Sequence, residues 1–88
     1  MSEDKLILSS LAMDLKRAAL GYYRKSYKMA DRFLEEAMKR KEEINLAKVK
    51  PSIKRLLESL DKMVLENNEA KAENALMYST LFQNAALR

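Results

Sequence analysis

The sequence predicts an all-α protein, and three observations carry that prediction. One Gly and one Pro in 88 residues leave almost no turn chemistry for a β-sandwich or barrel. Apolar residues recur at helical spacing over long stretches. A content of 48% hydrophobic and 34% charged residues suits a folded globular chain better than a disordered or membrane-embedded one. The length allows a single domain, spanning residues 1–88.

The first helix is expected to begin near residue 3. Ser2 can cap it, and Glu3 and Asp4 suit the positive end of its dipole. From there to about Ile44 the one candidate stop is Gly21. Winding the segment at about 100° per residue keeps the stripes in phase across that glycine. Ser10, Asp14, Arg17, Arg24, Lys25, Lys28, Arg32, Glu35 and Lys39 fall on one side; Leu8, Ala12, Leu15, Ala19, Tyr23, Ala30, Phe33, Leu34, Ala37 and Ile44 fall opposite. Gly in an exposed helix face costs only about 1 kcal/mol against Ala. The pattern therefore predicts one helix over residues 3–44, about 60 Å long.

Residues 45–50 form the predicted linker. Pro51 disfavours helix at Lys50 and suits a first helical turn. Ile53, Leu56, Leu57, Leu60 and Val64 then make a helical stripe, which resumes after Asn67 and Asn68 with Ala72, Ala75, Leu76, Tyr78 and Phe82. Residues 51–87 read as one helix or as two meeting at the asparagine pair, with Asn68 as the cap.

Two arms of similar length make an antiparallel helical hairpin. Such a hairpin buries one stripe per arm, too little for a stable chain of this size, so pairing into a four-helix bundle across a two-fold axis is expected. The alternative is a monomeric three- or four-helix bundle, with helices near 3–20, 22–44, 51–66 and 69–87. That arrangement needs a turn at Gly21 with almost no loop residues, where helix connections usually take about 2–8.

Much chemistry is excluded by composition. Without Cys there are no disulfides, thiolate metal sites or thiol nucleophiles. Without His the commonest general base and metal ligand are missing. One glycine rules out phosphate-binding and dinucleotide loops. Glu35, Glu36, Glu42 and Glu43 are the paired carboxylates, and Glu35/Lys39 and Glu36/Arg40 stand four apart as helix-supporting ion pairs. The chain is expected to be no enzyme and to use no metal or other cofactor. Its acidic start and the short apolar run Leu6, Ile7, Leu8 lack the features of a signal peptide or membrane span, so a cytoplasmic protein is expected.

The net charge of +4 is unevenly spread. Residues 16–32 hold six basic side chains and one acid, and Lys48, Lys50, Lys54 and Arg55 make a second cluster around the linker. Arg17, Arg24, Lys25, Lys28 and Arg32 would form a ridge with Gly21 in its middle, where a nucleic-acid phosphate or acidic partner could approach. Tyr22, Tyr23 and Tyr27 could stack on bases. Ala12, Leu15, Ala19, Tyr23, Ala30, Phe33 and Ala37 would make a close seam for helix packing and self-association, with Ser26 continuing the seven-residue step of Ala12 and Ala19. Met13, Met29, Met38, Met63 and Met77 suit either core gaps or an adaptable groove. The expected function is a small interaction or adaptor protein that self-associates, as a dimer, and binds a macromolecular partner. The alternative is a protein that binds the nucleic-acid backbone through the ridge.

Overall fold

The long helix expected over residues 3–44 is two helices. In the computed structural model, which describes residues 3–87, α1 (Glu3–Tyr23) and α2 (Tyr27–Glu42) are followed by α3 (Pro51–Met63) and α4 (Asn68–Leu87). The described body measures 35 × 22 × 19 Å, too short for a helix of about 60 Å. The protein is an all-α helical bundle in which α1 packs extensively against both α4 and α2. The two-arm hairpin gives way to the four-helix alternative.

The break comes three residues after Gly21 and takes three connecting residues, within the usual range for helix connections. Lys25 adopts φ 60°, the left-handed conformation. The Ser26 N–H donates to the Gly21 carbonyl at 2.8 Å and the Lys25 N–H to the Tyr22 carbonyl at 3.2 Å. This is the Schellman pattern of helix termination, built here around a lysine rather than the usual glycine. Gly21 itself stays helical and buried, and its role is steric: an added Cβ would lie 2.8 Å from the Ala30 Cβ. The glycine lets α2 fold back closely onto α1. Phase alone could not reveal this turn, because the stripes of α1 and α2 face one shared core.

The later boundaries follow the sequence closely. Lys50 is extended, with Pro51 in the first turn of α3. In the preceding loop, Asn45 Oδ1 accepts the Ala47 N–H at 3.0 Å. The break at the asparagine pair is present, but the cap is Asn67, not Asn68. Its Oδ1 accepts the Ala70 N–H at 2.8 Å, and Glu69 lies in the first turn of α4.

Leu11, Leu15, Leu57, Leu60, Met63 and Phe82 are the largest fully buried side chains, and Ala18, Ala19, Ala30, Ala37 and Ala75 let the helices approach around them. Asp14, expected on the polar face, is buried. Its Oδ2 accepts from Arg40 Nε at 2.9 Å, tying α1 to α2, and Arg17 Nη1 lies 3.5 Å from its Oδ1. Lys41 Nζ reaches Asp61 at 3.2 Å and so links α2 to α3. Among the described residues no buried side-chain nitrogen or oxygen lacks a hydrogen-bond partner.

Candidate functional site

The basic ridge does not exist as one helix face. Arg17 remains on α1, paired with Asp14 and with its guanidinium carbon 5.7 Å from the centre of the Phe33 ring. Arg24 and Lys25 lie in the turn, while Lys28 and Arg32 belong to α2; all four are exposed. Gly21 is sealed against Ala30 and offers nothing to a phosphate. Lys48, Lys50, Lys54 and Arg55 are also exposed, but Lys48 and Lys50 line a groove with Asp4, Lys5, Leu8 and Ala85, beside the start of α1. The two basic clusters therefore sit at opposite ends of α1.

The tyrosines divide as well. Tyr22 is buried, and its hydroxyl donates to Asp31 Oδ1 at 2.6 Å. Lys71 Nζ stands 5.5 Å from the centre of its ring. Burial, reinforced by the Asp31 hydrogen bond and charge, holds the Tyr22 phenol well above the ordinary tyrosine range. Tyr23 and Tyr27 are exposed, close to Glu69 and Glu73 at the start of α4.

The expected self-association seam is mostly interior. Ala12, Leu15, Ala19, Ala30 and Ala37 are buried within the chain's own core, and Phe33 is half-buried. Tyr23 is 52% exposed, and Ser26 lies exposed in the turn. The buried ones lie where α1 packs against α2 and α4. Of the methionines, Met63 fills the core, Met38 is half-buried, and Met13, Met29 and Met77 are exposed.

A different surface carries a regular row of exposed apolar side chains. Leu6, Met13 and Leu20 stand seven residues apart on α1 and are 55%, 45% and 41% exposed. Steps of seven keep them within about 40° of one another, on the side away from Leu11, Leu15 and Ala18. Helix α4 exposes Leu76, Met77, Leu81 and Leu87. Met13, Lys16, Leu76, Thr80 and Gln83 border a groove between the two helices, with buried Ala12 and Ser79 at its floor. Helices α2 and α3 are one-sided, apolar inward and charged outward, whereas α1 and α4 carry apolar residues all round. A helix of that kind is usually covered on both sides. The row on α1 is not among the surfaces expected from the sequence, although its seven-residue spacing is legible there.

No protein-family model, curated protein or solved structure matches the chain. The surface must be read from its own chemistry. Among the described residues no group of three or more carboxylates is placed to hold a metal ion, and no helix is long and apolar enough to cross a membrane.

Proposed function

We propose that this chain is a small non-enzymatic interaction protein that self-associates and binds a macromolecular partner. The observation that carries the reading is the outward apolar row Leu6, Met13 and Leu20 on α1, with Met13 sharing a groove with Leu76 of α4. Scattered exposed apolar residues are ordinary, but a repeated outward row on one helix that shares a groove with the next points to an interaction surface. With self-association on that face, the exposed Lys28 and Arg32 of α2 stay open to an acidic partner. Light scattering at micromolar concentration tests the first step. The expected mass is about twice the 10.2 kDa of one chain. A monomer at every concentration, unfolding cooperatively, overturns self-association.

One observation favours a second reading, nucleic-acid binding. Arg24, Lys25, Lys28 and Arg32 project from the same end of the bundle, and the acid among them, Asp31, accepts the Tyr22 hydroxyl. On this reading DNA and RNA bind with little regard to sequence, binding falls steeply with salt as counterions are released, and Arg24→Glu with Lys28→Glu abolishes it. Absence of binding by the unaltered protein at low salt removes this reading.

A further inference from the structure

We infer that the outer α1/α4 face binds a second copy of itself with each α1 lying on the partner's α4, related by a two-fold axis parallel to the helices. The inference rests on the self-association proposed above and names its geometry. Charge decides the arrangement. Among the described side chains, the exposed charges of α1 are Lys16 and Arg17, both basic, and those of α4 are Glu69 and Glu73, both acidic. A surface that is basic on one helix and acidic on its neighbour is complementary to itself, as an isologous dimer requires. Stacking α1 on α1 would instead oppose like charges.

The register follows from the way α1 and α4 run antiparallel. Lys16 shares a groove with Leu76, while Tyr22 and Tyr23 share one with Glu69 and Glu73. A two-fold axis along the helices keeps these levels, so Lys16 comes within a turn of Glu73 of the second copy and Arg24 comes opposite its Glu69. Lys16, Glu69 and Glu73 make no ion pair within the chain among the described residues, which leaves them free for such contacts. Met13 and Leu20 of each copy lie against α4 of the other, away from the two-fold axis. Two helices about 30 Å long and about 10 Å apart offer roughly 600 Å² per copy, or about 1,200 Å² in total, the lower end for a specific dimer.

Exchange of charges tests the arrangement. Lys16→Glu alone and Glu73→Lys alone should each weaken the dimer about tenfold or more, because each places like charges at both symmetric contacts. An equimolar mixture of the two variants should recover dimer strength, since every contact in the mixed dimer is then opposite in sign. A contact within one chain cannot be rescued by mixing. Cysteine supplies an independent readout in a chain that has none. Two copies of α1 lie diagonally, so Met13→Cys should give no disulfide-linked dimer. If a charge variant fails to fold, Lys16→Gln and Glu73→Gln replace it, and each should flatten the salt dependence of the dimer. A dimer of the unaltered protein with no rescue on mixing, with a Met13→Cys cross-link, or with no salt dependence overturns the arrangement but leaves self-association standing. A monomeric unaltered protein removes both.

Discussion

Gly21 and Ala30 meet so closely that a Cβ on the glycine would fall 2.8 Å from the alanine Cβ and 3.0 Å from its Cα. The obstruction is backbone as well as side chain, so no rotamer change relieves it. Gly21→Ala would gain about 1 kcal/mol of helix propensity. It would also push α2 away from α1, at a cost of roughly 1–3 kcal/mol for overpacking. The net expectation is destabilisation, read as a lower urea midpoint, with partial recovery in the double variant Gly21→Ala, Ala30→Gly. A more stable Gly21→Ala protein would contradict this account of the turn.

Lys25 gives the opposite prediction. Its left-handed backbone is unfavourable for a residue with a Cβ, by about 1–2 kcal/mol. Lys25→Gly should therefore raise the melting temperature, with a gain of about 1 kcal/mol after the added freedom of the unfolded chain is counted. Lys25→Val, β-branched at the same position, should lower it.

The ion pair between Asp14 and Arg40 is expected to couple strongly. Removing Arg40 leaves a buried carboxylate with only the longer Arg17 contact. Arg40→Leu should cost about 1.5–3 kcal/mol, the range for hydrogen bonds to charged groups. Asp14→Leu combined with Arg40→Leu should cost less than the sum of the single changes, because no unpaired charge remains buried. Additive denaturation energies would count against the pair.

Tyr22 predicts a loss of stability in alkali. Its phenol ionises at higher pH in the folded chain than in the unfolded one, because burial and Asp31 disfavour the phenolate. The resulting stabilisation is fully present below the ordinary tyrosine value of about 10 and falls away as pH rises above it. Tyr22→Phe should be less stable at pH 8, where the hydrogen bond to Asp31 is lost. Its stability should also decline less between about pH 9.5 and 11 than that of the unaltered protein, as measured by urea unfolding. Parallel declines would show that Tyr22 carries no part of the effect.

These residues mark what the sequence made legible. Pro51 and Asn67 act through local backbone chemistry, so the start of α3 and the break before α4 could be read to within a residue. The turn after Tyr23 could not, because it has neither Gly nor Pro among residues 24–26 and closes through a strained lysine. Misreading that turn displaced the sites on either side of it. It joined Arg17 to Arg32 in one ridge and put Gly21 on the surface. Ala12, Leu15, Ala19, Ala30 and Ala37 were correctly apolar and close-packed, but a wheel cannot say whether the neighbouring helix belongs to the same chain. Leu6, Met13 and Leu20 form an outward repeat that the stronger inward stripe of Leu8, Leu11, Ala12 and Leu15 masks in the sequence.

The packing of α1 against both its immediate successor and the last helix has a kinetic consequence. The α1–α2 pair needs only a three-residue closure and can form while the rest of the chain is still being synthesised. Its other flank must wait for α4, more than forty residues downstream. Until then Ala12, Ala19 and the surrounding α1 surface face water, and a nascent chain is exposed to capture by a neighbour's α4. The same antiparallel contact that completes one molecule would, between two growing chains, produce an exchanged pair. Dilute refolding, in which the tethered α4 outcompetes any neighbour's, keeps the exchange from occurring.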